Sequence, residues 1–306
     1  MTFEELKDSF LGVRIYRSKD VYAPHKPLLL LLILSEFYTE KKQNWLYEEV
    51  HDRMIELLRQ FSPFTDSYQP NYPFLKLVND GIWHVTSDQE INTKLEHSAA
   101  KLKNLHAKGA FTEEINDTLI AEHKRIPELI GAILSEFFPE TVHDEILEMV
   151  GFYETVLVKT RRKRDPYFRE LVLSTYGYKC AVCGLGARLG NDLVGLEAAH
   201  IKWFQAGGPD TISNGIALCS MHHKLFDRGA YAFSNDHHLV ASSKIHNGNQ
   251  LEEILFRYQG RQIQLPLNPN EKPESIYLNW HWKNIFKRPV RYFEKLNELN
   301  IAAEKI

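Results

Sequence analysis

The sequence predicts an α+β protein of two domains, with a mainly helical N-terminal domain over residues 1–150 and a C-terminal domain over residues 151–306. A chain of 306 residues is longer than one typical domain, so two are expected. The first half carries helical apolar patterns and one short hairpin pattern, whereas the 3 cysteines are confined to residues 180–219. The C-terminal domain is therefore predicted to be a small α+β unit held by a metal.

The composition is that of an ordinary globular protein, with 43% hydrophobic and 25% charged residues. The longest apolar run, residues 28–34, is far too short to span a membrane, and no apolar N-terminal segment resembles a signal peptide. We therefore expect a cytoplasmic protein with no membrane partner. The formal net charge is −3, so any contact with nucleic acid must come from local basic patches.

The N-terminal domain is predicted to begin with a short helix, because Thr2 followed three residues later by Glu5 forms a capping box. Pro27 opens a second helix, which is apolar on nearly all sides from 28 to 37 and is therefore buried. An amphipathic helix is predicted over 51–61.

The following stretch predicts a β-hairpin. Residues 71–78 are expected to form a turn and a strand, Asn-Asp-Gly at 79–81 the tight turn, and residues 82–85 the returning strand. Helical patterns over 112–138 and 142–150 complete the domain.

All the cysteines of the chain lie in two short pairs of potential metal ligands. Two residues separate Cys180 from Cys183, and two separate Cys219 from His222. This spacing is typical of a tetrahedral zinc site gripped by two short turns. The zinc would be structural, because four protein ligands leave no position open for chemistry. The alternatives are buried thiols without a metal and, less favoured because the number of cysteines is odd, a disulfide.

The same stretch contains three further polar residues in ordered motifs. His200 belongs to Glu-Ala-Ala-His-Ile at 197–201, and Gly-Pro-Asp at 208–210 precedes Asn214. His223 lies in Cys-Ser-Met-His-His-Lys-Leu-Phe-Asp-Arg-Gly, which ends at residue 229. A strand end, a loop and a helix start are expected to bring the three side chains together over one divalent metal.

From residue 180 to residue 229 these motifs resemble the HNH, or ββα-metal, nucleases of the McrA-like branch. The resemblance implies that His200 is the general base that takes a proton from water. It implies that His223 holds a catalytic Mg²⁺ or Mn²⁺, which polarises the scissile phosphate. Asn214 would pin the intervening loop through hydrogen bonds from its side chain to the backbone. The alternatives are a core histidine for His200 and a surface histidine for His223.

The pattern departs from many HNH enzymes at the position before the general base. Where they have Asp or His as a second metal ligand, this chain has Ala199. Glu197, Asp227 or a water molecule would then replace that ligand, and the sequence leaves the three open. Asp227 lies four residues after His223 and so on the same helical face. We favour a simpler role for Asp227, as acceptor of an N–H group in the turn before Gly229.

Two short motifs stand out in the N-terminal domain. They are Pro-His-Lys-Pro followed by four leucines at 24–31, and Tyr-Pro-Phe at 72–74 with Asn-Asp-Gly at 79–81 and Trp83 beyond it. Together they resemble the sulfur-binding domain that recognises phosphorothioate-modified DNA, which in its family is commonly fused to an HNH nuclease. The resemblance implies double-stranded DNA carrying phosphorothioate as the partner.

That resemblance also implies a cup for sulfur, lined by Tyr72 and Pro73 and by the basic pair His25 and Lys26. Sulfur is larger and more weakly hydrated than oxygen, so an apolar concavity accepts it, whereas a phosphate oxygen would lose its hydration without compensation. Lys26 would neutralise the remaining charge, although the arginine frequent in the family is a bidentate donor and lysine is not. Lys76 is a candidate for a groove or backbone contact. Taken singly, Pro73 also suits an edge strand or turn, and His25 a helix entry.

Three more segments carry expectations of their own. The basic stretches 94–108 and 159–164 are each either DNA contacts or solvated surface. Beyond the motifs, paired strands are predicted over 230–242, another hairpin over 256–265 and a closing helix over 290–303.

The two resemblances together imply a modification-dependent (type IV) restriction endonuclease, in which one domain detects phosphorothioate and the other cuts nearby. Because restriction sites are usually two-fold, a homodimer is expected. Two alternatives remain open: an HNH nuclease that reads another mark, such as a methylated base in a flipped-base pocket, and a non-catalytic DNA-binding sensor with zinc as a staple.

Overall fold

The structure is a computed structural model that describes residues 1–15, 17–18, 21–62, 68–92, 97–153, 166–246, 248, 250–266 and 268–293. The chain divides into two compact units, an N-terminal unit of Met1–Arg161 and a C-terminal unit of Arg162–Ile306. The boundary that we drew after residue 150 stays a prediction, because residues 154–165 lie outside the described part. Each unit has a hydrophobic core of its own, one built from residues between 3 and 152 and the other from residues between 168 and 278. Within the described residues, no helix combines the length and the apolar character needed to cross a membrane.

The N-terminal unit is mainly helical, with a small three-stranded sheet. Its elements are α1 (Phe3–Leu11), β1 (Arg17–Ser18), β2 (Val21–Tyr22), α2 (His25–Glu40), β3 (Trp45–Leu46), α3 (Tyr47–Phe61), α4 (Asn71–Lys76), β4 (Trp83–Thr86), α5 (Ala99–Asn104), β5 (Lys108–Phe111), α6 (Glu113–Ala121), α7 (Ile126–Phe137) and α8 (His143–Val150). Strands β1 and β2 form an antiparallel pair, and β5 lies between β3 and β4, antiparallel to both.

The centre of this unit is α2, and its burial confirms the prediction from its apolar run. Residues 28–34 are all 0% exposed, because α3, α4, α7 and α8 pack around the helix. The helix begins at His25, two residues before the predicted start. The capping box of α1 is also confirmed, since the Thr2 side chain accepts from the Glu5 N–H and the Glu5 carboxylate accepts from the Thr2 N–H.

The hairpin predicted over 71–85 is wrong. Residues 71–76 form α4, in which Pro73 lies in the first turn, where the missing N–H costs no helical hydrogen bond. A 3₁₀ turn over Leu77–Asp80 follows it and ends at Gly81, with φ of 76°. Strand β4 does form, but it pairs with β5. That pairing needs a glycine at 109, because a Cβ there would lie 2.0 Å from the Trp83 ring.

The C-terminal unit is built around a two-stranded antiparallel sheet, on which helices pack. Its elements are α9 (Pro166–Thr175), β6 (Arg188–Leu189), β7 (Asp192–Leu193), β8 (Leu196–His200), β9 (Gly215–Cys219), α10 (Ser220–Asp227), β10 (Tyr231–Phe233), β11 (Leu239–Ala241), α11 (Leu251–Ile254) and α12 (Ser275–Asn284). Strands β8 and β9 are antiparallel, with His200 opposite Gly215, and α9 and α10 both pack on them. This ββα arrangement positions the candidate site.

Three further expectations meet the structure with different outcomes. The paired strands over 230–242 are confirmed as β10 and β11. The hairpin over 256–265 is wrong, because that segment holds a 3₁₀ turn, Phe256–Tyr258, and a single bridge from Gln262 to His238. The closing helix over 290–303 lies mostly outside the described residues, and residues 290–293 are not helical.

Candidate functional site

The three cysteines and His222 form one cluster, as the spacing predicted. Their donor atoms all lie within 4.8 Å of one another, and the group could hold a metal ion. The Cys219 sulfur is 3.1 Å and the Cys180 sulfur 3.6 Å from Nδ1 of His222, and none of the cysteines is in a disulfide. The Cys183 and Cys219 thiols hydrogen-bond to the Cys180 sulfur and lower the pKa of Cys180. Nε2 of His222 donates to the Ile254 carbonyl at 2.8 Å, so Nδ1 keeps the lone pair that a metal needs.

The neighbouring His223 contacts carboxylates rather than thiols. Its Nδ1 lies 2.6 Å from Oε2 of Glu197 on β8, and its Nε2 lies 3.2 Å from Oδ2 of Asp227 on α10. The other Glu197 oxygen accepts from the Ser220 hydroxyl at 2.6 Å, and the other Asp227 oxygen from the Trp203 indole N–H at 3.0 Å. Asp227 is the last residue of α10 and accepts an N–H group, but the donor is the Trp203 indole; the role that we favoured, as acceptor in the turn before Gly229, stays a prediction.

The electrostatics of this group follow from its two carboxylates. Burial of the His223 ring lowers its pKa, but the charge of Asp227 and the hydrogen bonds that both carboxylates accept from the ring outweigh burial and raise the pKa to about 9. The hydrogen bond from His223 in turn lowers the pKa of Glu197. Carboxylate oxygens with one imidazole form a donor set that suits Mg²⁺ or Mn²⁺. The Glu197 side chain is 42% exposed and that of Asp227 only 1%, so Glu197 marks the side of the cluster open to solvent.

His200 ends β8, as predicted, and two contacts fix its ring. It stacks on Phe168 of α9 with 4.0 Å between ring centroids and 16° between planes. Its Nε2 lies 2.7 Å from Oδ1 of Asp210. The sequence placed Asp210 in the motif but gave no role to it; its position in the loop between the two strands was the available signal.

Asn214 is fully buried and makes the hydrogen bonds expected of it. Its Oδ1 accepts from the Lys202 N–H at 2.8 Å, and its Nδ2 donates to the carbonyls of Lys202 and Pro209, each at 3.0 Å. A glycine is needed at 208, because a Cβ there would lie 1.9 Å from the Lys202 oxygen. The two imidazoles thus stand in separate groups, His200 with Asp210 and His223 with Glu197 and Asp227. Their action on one shared metal stays a prediction.

In the N-terminal unit, packing of α2 against α4 brings the two halves of the predicted sulfur cup onto neighbouring helices. His25 and Lys26 form the first turn of α2, whereas Tyr72, Pro73 and Lys76 belong to α4. Pro73 is buried, and the other four are half-buried. Burial lowers the pKa of His25 to about 4.

Lys26 is engaged within the protein, which the sequence did not predict. Its Nζ lies 2.5 Å from Oδ2 of Asp80, with both side chains largely buried, and the other Asp80 oxygen accepts from the Arg14 N–H at 3.1 Å. Asp80 had been assigned only to a turn. The Lys26 charge, which we expected to neutralise a DNA phosphate, is therefore balanced by the Asp80 carboxylate in the free protein.

The two basic stretches are only partly described. Residues 99–104 are helical and carry Lys101 and Lys103. Residues 93–96, with Lys94, and the whole basic run 159–164 lie outside the described residues.

Comparison with known proteins identifies both units. The family model described as ScoMcrA-like, DNA sulfur-binding domain matches residues 3–155, half of the chain. The chain belongs to the ScoMcrA-like sulfur-binding-domain family. A second model, described as HNH endonuclease, matches residues 180–234, so the sulfur-binding domain is followed by an HNH domain, as the two resemblances implied.

Several solved structures are similar to parts of the chain. The sulfur-binding domain of SprMcrA complexed with phosphorothioated DNA is 20% identical, covering 49% of this chain and 94% of that chain at a TM-score of 0.42. The corresponding ScoMcrA domain is 17% identical, covering 47% and 94% at 0.39. The modification-dependent TagI restriction endonuclease is 21% identical, covering 43% and 40% at 0.29. No curated protein matched the chain.

Proposed function

We propose that this protein is a modification-dependent restriction endonuclease. Its sulfur-binding domain would recognise phosphorothioated duplex DNA, and its HNH domain would hydrolyse phosphodiester bonds nearby. The observation that carries the proposal is the presence of both domains in one chain, matched over 3–155 and 180–234. A sensor fused to a nuclease directs cutting to marked DNA, and the cut then falls at some distance from the mark.

In the nuclease domain, His200 would act as the general base on the attacking water, and Asn214 would hold the loop beside it. His223, with Glu197 and Asp227 as carboxylate partners, would hold Mg²⁺ or Mn²⁺. When bound, that ion would polarise the scissile phosphate and stabilise the leaving oxygen. The cluster of three cysteines and His222 would hold a structural zinc, because its four donor atoms lie within 4.8 Å of one another and sets of this kind typically bind zinc in closed structural sites.

In the recognition domain, Tyr72 and Pro73 would form the apolar wall for sulfur. The pKa of His25, about 4, keeps this side chain neutral near pH 7, so it would contribute shape and a hydrogen bond rather than charge. The Lys26–Asp80 pair makes little net charge available for an ordinary phosphate. Lys76 on α4 would contact the DNA backbone. A homodimer that matches a two-fold site, in the cytoplasm, completes the proposal.

The decisive experiment presents the protein with phosphorothioated, methylated and plain duplexes of one sequence, with Mn²⁺ added. We expect cutting of the phosphorothioated duplex alone. His200→Ala should abolish that cutting, whereas His246→Ala, at an exposed histidine, should leave it unchanged. Cutting of the methylated duplex alone would favour the other mark, and equal cutting of all three would remove the sensor role.

If the wild-type protein binds DNA but does not cut it with any divalent ion supplied, the protein is a non-catalytic sensor. The recognition domain is tested separately by Tyr72→Ala with Pro73→Ala. We expect this double variant to lose its preference for sulfur-bearing DNA while retaining weak binding to plain DNA. An unchanged preference would remove the proposed cup.

A further inference from the structure

The contact between His200 and Asp210 determines which ring nitrogen carries the proton. Nε2 lies 2.7 Å from Oδ1 of Asp210, and an ionised carboxylate only accepts hydrogen bonds. Nε2 must therefore be the donor. In a neutral imidazole the other nitrogen, Nδ1, is then the one that carries the lone pair.

The loop that supplies Asp210 is held by the buried amide of Asn214. Nδ2 of Asn214 donates to the carbonyl of Pro209, the residue before Asp210, and both ends of the amide bond the backbone of Lys202. The backbone carbonyl of Asn214 also accepts from the Ile201 N–H at 2.9 Å. The start of the loop and the residue before Asp210 are thereby both tied to Asn214, and the Asp210 carboxylate is set beside the end of β8.

The ring of His200 has little freedom to turn away from this partner. Phe168 stacks on one face at 4.0 Å, and Phe204 lies 6.0 Å away by ring centroids. The His200 side chain is 9% exposed and that of Asp210 22%. A hydrogen bond to a carboxylate that is withdrawn this far from water keeps its geometry better than an exposed one.

We propose that Asp210 is a positioning residue that fixes His200 in the Nε2–H tautomer, so that Nδ1 is the atom that takes the proton from water, with Asn214 holding the carboxylate in place. This rests on the proposed nuclease function. In the step, an O–H bond of water breaks and its proton goes to Nδ1. The water oxygen forms the new P–O bond, and the leaving oxygen departs with the electron pair of the broken P–O bond and takes a proton from solvent. The Asp210 carboxylate balances the imidazolium charge.

The first test compares Asp210→Asn with Asp192→Asn, an exposed aspartate on β7 of the same unit. An amide presents a donor as well as an acceptor to Nε2, so it no longer enforces the tautomer. We expect kcat on phosphorothioated DNA to fall by roughly 100-fold or more, as for other bases that lose their orienting carboxylate. KM should stay within about twofold, and so should the Mn²⁺ affinity measured by calorimetry. Asp210→Glu should recover part of kcat.

A loss of Mn²⁺ affinity in Asp210→Asn as large as its loss of kcat would overturn the proposal, because Asp210 would then be a metal ligand.

The second test does not depend on cutting. Protein labelled with ¹⁵N-histidine is observed at about pH 8, where a free imidazole is neutral, and the His200 signals are assigned by their loss in His200→Ala. We expect Nε2 of His200 to be protonated in the wild type and in Asp192→Asn, and a mixture of tautomers in Asp210→Ala. A protonated Nδ1 in the wild type, or spectra indifferent to Asp210, would overturn the inference. If the wild type cuts no DNA, the proposed function fails, while these spectra still decide the role of Asp210.

Discussion

His25 in the N-terminal unit and His223 in the C-terminal unit are both withdrawn from water, yet their pKa values move in opposite directions. Burial alone lowers the pKa of His25 to about 4. For His223 burial acts in the same direction, but Asp227 and Glu197 outweigh it and raise the pKa to about 9. Burial favours the neutral form of an imidazole, whereas flanking carboxylates favour its cation.

This difference in the two pKa values reflects a difference in charge between the two candidate sites. Around the candidate sulfur cup, Lys26 is balanced by Asp80 and His25 is neutral, so the charge of the surface is constant near neutral pH. In the HNH domain, the rings of His200 and His223 contact carboxylates. We infer that DNA binding by the proposed sulfur cup would depend on its shape and its apolar surface. Hydrolysis by the HNH domain would depend on proton transfer and on a bound metal ion.

The largest effect is expected from removing the zinc cluster. Cys180→Ser deprives the ion of one ligand at the turn before β6, and structural zinc sites supply folding free energy directly. We expect the C-terminal unit to lose its cooperative unfolding transition and its zinc, measured by calorimetry and metal analysis. Cutting should disappear with them.

Binding to phosphorothioated DNA is the internal control for that variant, because the core of the N-terminal unit is built from its own residues. Its affinity should remain within about twofold of the wild type. A Cys180→Ser protein that keeps both its transition and its activity would show that the cluster does not stabilise the fold.

The carboxylates around His223 come next in size. Glu197→Gln removes the solvent-exposed charge, and we expect Mn²⁺ affinity to fall by roughly 10- to 100-fold with little change in Tm. Asp227→Ala should lower both affinity and Tm, because the lost carboxylate also accepts a hydrogen bond from the Trp203 indole N–H in the interior. Glu253→Gln on α11, an exposed glutamate, is the matched control. Equal Mn²⁺ affinity for Glu197→Gln and wild type would exclude Glu197 from the metal site.

A smaller change is expected at the ion pair of the recognition domain. Asp80→Asn leaves the Lys26 charge unbalanced, and the attraction between unit charges separated by water at contact distance is on the order of 1 kcal/mol. Affinity for plain DNA should therefore rise by roughly fivefold, which reduces the preference for sulfur. Asp88→Asn changes the net charge equally at an exposed position and should have no such effect. If Asp80→Asn binds plain DNA no better while its Tm is unchanged, Lys26 does not reach the DNA.

The smallest expected effect is that of pH on binding. Since the pKa of His25 is about 4, its charge does not change between about pH 6 and pH 8. Affinity for phosphorothioated DNA at constant salt should vary by less than about twofold over that interval. A tenfold rise toward pH 6 that is absent from His25→Gln would mean that DNA binds the protonated ring.

Features set by neighbouring residues were predictable from the sequence, whereas features set across the chain were not. The capping box at Thr2, the burial of α2 and the position of His200 at a strand end follow from local spacing. The pairing of β4 with β5 joins segments more than twenty residues apart along the chain, and no local pattern reports it. The turn residues at 79–81 suggested a partner strand just before them, but residues 71–76 form α4, with Pro73 in its first turn.

The same distinction holds within the candidate sites. The zinc-type cluster was complete in the sequence because its spacing is the signal. The partners Asp80 and Asp210 were missed because each had an adequate local explanation, one as a turn residue and one as part of a loop. Their contacts with Lys26 and His200 depend on how distant backbone segments pack.

The separate cores of the two units have a practical consequence. A recognition domain whose interior is completed by its own helices is expected to fold when it is produced without the nuclease. Joined to a fluorescent or affinity label, such a fragment would be a portable reagent for mapping backbone sulfur in genomic DNA, with its selectivity adjustable through the Lys26–Asp80 pair.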